Sequence, residues 1–167
     1  MPILRRAALP DDVRHRLALV RGERVLGHGR LTDGWAVATT RGLVVVPTDG
    51  DPRRRDWSEV SGARLDPETE TVTVDWVDGS PPAALRLAEP DRQFAGVLRQ
   101  CVDSSVIHRE TVALPGRAVV QVALRRGADG DLFTQVIGPG GVDLSDPATA
   151  AAVDAAELRV REAAGLR

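Results

Sequence analysis

Three residue types are missing from this chain, which contains no lysine, no asparagine and no tyrosine. All three have AT-rich codons, so their absence beside abundant Ala, Gly, Val, Asp and Pro is typical of a high-GC genome such as an actinobacterial one. Composition rather than function therefore accounts for the many arginines. A formal net charge of -2 and a pI near 5.9 also argue against binding of nucleic acid through its phosphate backbone.

Cysteine and long hydrophobic runs are also scarce. The single cysteine, Cys101, excludes a disulfide within the chain and a zinc site built from several thiols. Residues 1–6 contain no apolar run long enough for a signal peptide, and no later segment approaches the roughly 20 apolar residues of a membrane span. These absences predict a protein of the reducing cytoplasm.

What is present predicts a folded α+β chain. Hydrophobic residues make up 43% and charged residues 28% of the 167 residues, close to the globular average. Pro10-Asp11-Asp12 predicts a short helix that Arg21-Gly22 ends. Short β-type segments follow at residues 23–30, 35–40, 43–46, around Trp57, 69–76 and 85–87. Turn residues between them, such as Asp78-Gly79, predict hairpins and therefore an antiparallel barrel or sandwich.

A helix, a small sheet and a last helix are predicted to follow. Pro90 suits the start of a helix whose apolar stripe can lie on the open end of a barrel, namely Phe94, Val97, Leu98, Cys101 and Val102. Residues 107–114, 117–126 and 132–137 predict a small antiparallel sheet. The final helix is predicted to begin at Asp146-Pro147 and to end at Gly165. Its inward stripe consists of Val153, Ala156, Val160 and Ala163, and Glu157 can pair with Arg161 on the outer face. We expect this tail to pack against the barrel.

Three motifs in a fixed order resemble the pattern of bacterial PH-like domains. They are GERVL at residues 22–26, WAVATTRGLVV at 35–45 and DWSEV at 56–60, and the likeness continues through residues 75–79 and the helix from Pro90. The resemblance implies a half-open antiparallel β-barrel of about seven strands capped by a helix, a fold that binds lipids, peptides or proteins and implies no single activity. On this basis residues 1–106 form a PH-like domain with a short N-terminal helix, and residues 107–167 form β-hairpins plus a helix packed on it.

The histidines predict no metal site. His15, His28 and His108 lie in three different predicted elements, without the spacing of a metal-binding motif. Gly27 and Gly29 flank His28 within a strand, and glycines in such positions are typical of a bulge or of a close approach by another element.

No nucleophile or phosphate-binding loop is predicted either. Cys101 and His108, read as two turns apart on one helix, would lie about 10 Å from each other, too far for the imidazole to activate the thiol. Gly138-Pro139-Gly140-Gly141 lacks the Lys and the Ser or Thr of a P-loop. We therefore expect no enzyme activity, no cofactor and no metal.

Arg53, Arg54 and Arg55 form the one basic cluster of the sequence, next to Asp51 and Asp56. Such a cluster can contact anionic lipid or an acidic partner, and a solvated loop is the ordinary alternative. PH domains often hold a lipid headgroup around the first hairpin, but the matching residues 30–34 offer one arginine beside an acid.

Two functions are consistent with these patterns. The first is a non-enzymatic interaction module that binds a protein partner or self-associates, using the barrel, the tail sheet or the groove between them. The alternative is a peripheral membrane protein or a binder of small anionic ligands that acts through Arg53, Arg54 and Arg55.

Overall fold

The computed structural model describes residues 8–138 and 142–166, which form three antiparallel sheets. A short helix α1 (Asp11–Arg16) precedes a four-stranded sheet with the order β1 (Val25–Leu31), β2 (Gly34–Thr39), β3 (Gly42–Pro47) and β4 (Arg53–Asp56). A 3-10 turn at Trp57–Glu59 leads to a three-stranded sheet of β5 (Val60–Asp66), β6 (Thr71–Trp76) and β7 (Ala83–Arg86). The predicted α+β class is confirmed.

The second half of the chain alternates helix and sheet. It consists of helix α2 (Arg92–Ser105), strands β8 (Val106–Ala113), β9 (Val119–Arg126) and β10 (Leu132–Ile137), and helix α3 (Pro147–Ala163). Strand β9 lies between β8 and β10 in the third sheet. Asp91 and Asp146 cap the two long helices, because their carboxylates accept hydrogen bonds from the N–H groups of Phe94 and Thr149.

Several predicted boundaries are wrong. Helix α1 ends at Arg16 instead of continuing to residue 21, and Ala18 just after it has a positive φ of 45°. The segment around Trp57 is a 3-10 turn because the Glu59 carboxylate turns back to accept the Asp56 N–H at 2.8 Å. Strand β5 directly after it was not predicted, since its Ser61-Gly62-Ala63 run lacks β-forming side chains.

The first core fills the space between helix α2 and the first two sheets. The predicted stripe of α2 is confirmed, with Phe94, Leu98, Cys101 and Val102 buried and Val97 packed at the edge. Gly27 and Gly29 of β1 permit this packing, because a Cβ on Gly29 would lie 2.5 Å from the Phe94 ring and one on Gly27 would lie 3.1 Å from Val97. The predicted close approach is therefore confirmed.

The first two sheets do not close into a single barrel in the part of the chain that is described. They meet at an isolated antiparallel bridge between Leu31 and Leu87, while β4 and β5 are linked through the 3-10 turn without forming a ladder. The PH-like barrel therefore stays a prediction, and the arrangement that is established is two antiparallel sheets of four and three strands with α2 packed between them.

A second core lies between helix α3 and the third sheet. Val153, Ala156 and Val160 of α3 are buried against β8 and β9 as predicted, whereas Ala163 is exposed and Ala164 takes its place. Glu157 does not form the predicted pair with Arg161, and its carboxylate instead accepts a hydrogen bond of 2.9 Å from the Thr134 hydroxyl of β10. The tail thus has its own apolar centre.

Arg125 of β9 holds the two cores together. Its side chain is only 1% exposed, and one terminal nitrogen donates to the carbonyl oxygens of Trp57 at 2.7 Å and Val60 at 3.0 Å and to the Ser105 hydroxyl. Gln135 of β10 adds a bond of 3.2 Å to the Ser58 carbonyl. The tail sheet is therefore fastened to the turn between the first two sheets by polar contacts.

None of the helices among the described residues is long and apolar enough to cross a membrane.

Candidate functional site: a groove between helix α2 and the β9–β10 hairpin

The main concave surface lies where the tail meets the first core. It is a half-open groove of about 420 Å³, and its walls come from β1, the β2–β3 turn, the 3-10 turn, α2 and the start of the β9–β10 hairpin. Its lining is mostly apolar or uncharged, namely Leu26, Thr40, Arg41, Trp57, Val97, Gln100, Cys101, Ser104, Ser105, Arg126, Gly127 and Ala128. Such a lining can hold an apolar group while a few polar groups orient it.

Leu26 is the exposed apolar residue on the wall formed by β1. Val25 pairs with Thr39 and Gly27 pairs with Ala38, so Leu26 is the extra residue of a β-bulge at the edge of the first sheet. A bulge turns a side chain away from the regular alternation of its strand. The Leu26 side chain is 48% exposed and also lines a neighbouring cavity of about 340 Å³. A second and more polar hollow, lined also by Arg14 and His28, therefore adjoins the main groove along β1.

The charged residues of the described lining are both cationic. Arg41 lies in the β2–β3 turn and Arg126 lies at the end of β9. The Arg41 guanidinium forms an ion pair of 2.5 Å with Asp129, which sits at the tip of the β9–β10 hairpin, and this pair raises the pKa of Arg41. The buried Arg125 lies behind the groove wall, since it bonds to the backbone of Trp57 and to Ser105.

Cys101 lines the groove but is a poor nucleophile. Burial raises the pKa of its thiol to about 11, so the reactive thiolate is scarce at neutral pH. His108 does not lie on the same helix as Cys101, because α2 ends at Ser105; it is an exposed residue of β8, in agreement with the strand predicted over residues 107–114. The Ser105 hydroxyl donates to the Val102 carbonyl and accepts from Arg125.

The three arginines of the predicted basic cluster alternate across β4, so Arg54 lies on one side of the strand and Arg53 and Arg55 lie on the other. Arg54 donates to the Glu23 carboxylate at 2.5 Å and to the Leu17 carbonyl at 2.9 Å, on the side of α1. Arg55 pairs with Glu59 at 2.9 Å and lies 5.1 Å above the Trp76 ring. Arg53 is exposed, and within the described ranges it has no ion pair. Their role in ligand binding stays a prediction.

The three histidines lie in three different elements, namely α1, β1 and β8. His15 lies in α1 with its ring nitrogen 2.6 Å from the Asp11 carbonyl oxygen, and the His28 ring packs edge-on against Trp35. Among residues 8–138 and 142–166, no three His, Cys, Asp or Glu side chains are grouped in a way that could hold a metal ion. Residues 139–141 of the predicted glycine-rich loop lie outside the described part of the chain.

The sequence analysis proposed a groove between the barrel and the tail as one docking surface, but it did not identify the residues that line the groove or its cations. Arg41 was read only as part of a hairpin turn, and Arg126 only as the end of a strand. The signal that was available is the pair of glycines around His28 in the edge strand β1, because they permit the close approach of α2 beside Leu26. Nothing in the local sequence indicates that the tail hairpin closes the other side.

Comparisons with known proteins identify no relative, since no family model, no curated protein and no solved structure matches the chain significantly.

Proposed function

We propose that this chain is a non-enzymatic interaction module of PH-like architecture, which docks a protein partner or a second copy of itself in the groove between α2 and the β9–β10 hairpin. The observation that carries the proposal is Leu26, an apolar side chain held out at a bulge beside a half-open apolar groove. Exposed apolar surface of this kind marks interaction sites in folded proteins.

The strand order supports the PH-like part of the proposal. Four antiparallel strands are followed by three more and then by an amphipathic helix that packs between both sheets. The sequence motifs that resemble the family fall on β1, on the β2–β3 hairpin and on the 3-10 turn with the start of β5. The fold alone names no ligand, so the function rests on the groove.

A protein segment fits the groove better than a compact small molecule does. The groove is open along one side, and Leu26 joins it to the neighbouring cavity beside Val25 and Gly27. An extended segment can use both hollows and place one large apolar side chain against Leu26 and Val97. Docked segments of this kind take most of their affinity from a few apolar anchors.

Selection from a random peptide library displayed on phage, with the full chain as bait, tests the proposal. Peptides that are enriched would be synthesised and their Kd measured by fluorescence anisotropy. We expect Leu26→Ser to weaken binding by about tenfold or more, because it removes the apolar wall of the groove. Leu158→Ser on α3 is the matched control, since Leu158 is 59% exposed and Leu26 is 48% exposed.

Two results would overturn the proposal. One is that no peptide is enriched while light scattering finds only monomer at all concentrations. The other is that Leu26→Ser and Leu158→Ser have the same effect on the selected peptides. Concentration-dependent dimers that Leu26→Ser weakens would identify a second copy as the occupant.

A further inference from the structure

The ion pair between Arg41 and Asp129 connects two walls of the groove. Arg41 comes from the β2–β3 turn, and Asp129 comes from the tip of the hairpin that carries Gly127 and Ala128 into the lining. Asp129 itself is not part of the lining and its side chain is 80% exposed. The negative charge that pairs with Arg41 of the groove therefore comes from an exposed loop tip outside the lining.

The charged residues that line the groove favour an anion, and the carboxylates of Asp129, Glu23 and Asp56 act on Arg41 from outside the lining. Arg41 and Arg126 line the groove, and no Asp or Glu is among the described residues of the lining. Arg125 adds a buried positive charge behind Trp57 and Ser105, and burial lowers its pKa. A guanidinium stays protonated in spite of such a shift, so its field persists at neutral pH.

An exposed ion pair such as Arg41–Asp129 is easily replaced. Solvent screens both groups, and pairs of this type change an equilibrium constant by roughly two- to fivefold. A carboxylate that enters the groove beside Arg41 lies in the lining that Arg41 and Arg126 share, whereas Asp129 lies outside this lining. The exchange of one carboxylate for another therefore favours the ligand.

From these contacts we infer that the protein segment bound in the groove carries an acidic residue next to its apolar anchor, and that its carboxylate takes Arg41 from Asp129. This inference rests on the proposed docking function and specifies the chemistry of the partner. The Asp129 loop tip then acts as a competitor that only an acidic segment displaces.

The peptides selected on the full chain, synthesised with each acidic residue intact or replaced by its amide, are the probes. We expect Asp or Glu to be enriched beside a large apolar residue. Arg41→Gln should weaken binding of the acidic peptide about tenfold and leave the amide peptide nearly unchanged. Asp129→Asn should strengthen binding of the acidic peptide about threefold, because the internal competitor is lost. Raising the salt concentration should reduce both effects.

Matched variants separate these effects from net charge. Asp131→Asn removes one exposed acid of the same hairpin, whose carboxylate lies beside Gly127 of the lining but forms no ion pair with Arg41 among the described residues, and Arg53→Gln removes one exposed cation outside the lining. We expect Asp131→Asn to strengthen binding of the acidic peptide less than Asp129→Asn does, because it releases no arginine, and Arg53→Gln to change the Kd by less than about twofold.

Two different failures can be told apart. If peptides lose affinity in Leu26→Ser but contain no preferred acid, or if Asp129→Asn and Asp131→Asn act alike, the acidic partner is wrong and the docking groove stands. If Leu26→Ser leaves every selected peptide unaffected, the groove itself is wrong and the inference falls with it.

Discussion

Two strands carry adjacent arginines, and the two runs differ in the partners that the fold gives them. The runs are Arg53, Arg54 and Arg55 in β4 and Arg125 and Arg126 in β9. In β4, Arg54 meets the carboxylate of Glu23, whose side chain is fully buried. In β9 the inner arginine, Arg125, has only neutral acceptors around it among the described residues, namely two carbonyls, a hydroxyl and the Gln135 amide at 3.3 Å.

The difference shows that charge clustered in a sequence is not charge available to a ligand. The β4 run contains three arginines, yet two of them are neutralised by Glu23 and Glu59 within the fold. The β9 run contains two, and neither has an acid partner in the described part of the chain. Of these two runs, the one in β9 therefore places arginines without an acid partner at the groove, whereas the one in β4 leaves only Arg53 without one among the described residues.

The largest effect should follow from Arg125→Ala. This change removes the guanidinium that donates hydrogen bonds to the carbonyls of Trp57 and Val60 and to the Ser105 hydroxyl. It also leaves a cavity between the two cores. Unsatisfied buried acceptors and a cavity together should lower the free energy of unfolding by about 3 kcal/mol or more. Urea unfolding followed by tryptophan fluorescence measures the loss.

Arg126→Ala is the control for that prediction, since Arg126 is the exposed neighbour on the same strand. We expect its unfolding midpoint to match that of the wild type. Arg125→Met, which fills the space without donating hydrogen bonds, should recover part of the stability. Equal midpoints for Arg125→Ala and Arg126→Ala would show that the buried cation does not hold the cores together.

An intermediate effect is expected from Glu23→Gln, which removes the acid that distinguishes β4 from β9. Burial tends to raise the pKa of Glu23, but hydrogen bonds from Thr39, Arg54 and the Val20 N–H outweigh burial and lower the pKa below its model-compound value of 4.5. Replacing the Glu23 carboxylate by an amide should lower the free energy of unfolding by about 2 kcal/mol at neutral pH, because Arg54 and Thr39 lose a charged acceptor.

The pH dependence of that loss follows from the sign of the shift. Since the folded pKa lies below the unfolded one, the carboxylate stabilises the fold above about pH 4.5, and this contribution fades as the pH falls through the folded pKa. The difference in the free energy of unfolding between wild type and Glu23→Gln should therefore become smaller at acid pH, as urea unfolding at several pH values would measure. Glu68→Gln, at an exposed turn, is the control. A gap that does not change with pH would disprove the linkage.

The pattern of alternation along the chain predicted much of this fold. Apolar residues at every second position of β6 and at helical spacing in α2 identified the buried faces of both elements, and turn residues located the first hairpins. The period of two also explains why Arg54 and Arg55 point to opposite sides of β4. These features are local, so a single sequence reveals them.

What the sequence did not predict depends on contacts between distant residues. Glu23 is 31 positions from Arg54, and Trp57 is 68 positions from Arg125. No local pattern shows which acid meets which arginine. The bulge at Leu26 could not be predicted for the same reason. It depends on the register between β1 and β2 and on the packing of helix α2 against Gly27 and Gly29. The groove arises from these long-range contacts.

The smallest effect should follow from Arg53→Ala, which tests whether β4 is a ligand surface after all. Because Arg53 is exposed and has no ion pair within the described residues, the substitution should leave the urea midpoint unchanged within error. With Arg54 and Arg55 held by internal acids, we also expect little flotation with phosphatidylserine vesicles in either the wild type or the variant. Lys in place of Arg53 is the control that keeps the charge. The opposite result would be salt-sensitive flotation of the wild type that Arg53→Ala abolishes and Arg53→Lys retains. That result would place the functional surface at β4 instead of at the groove, because Arg53 would then bind anions more strongly than Arg126 does.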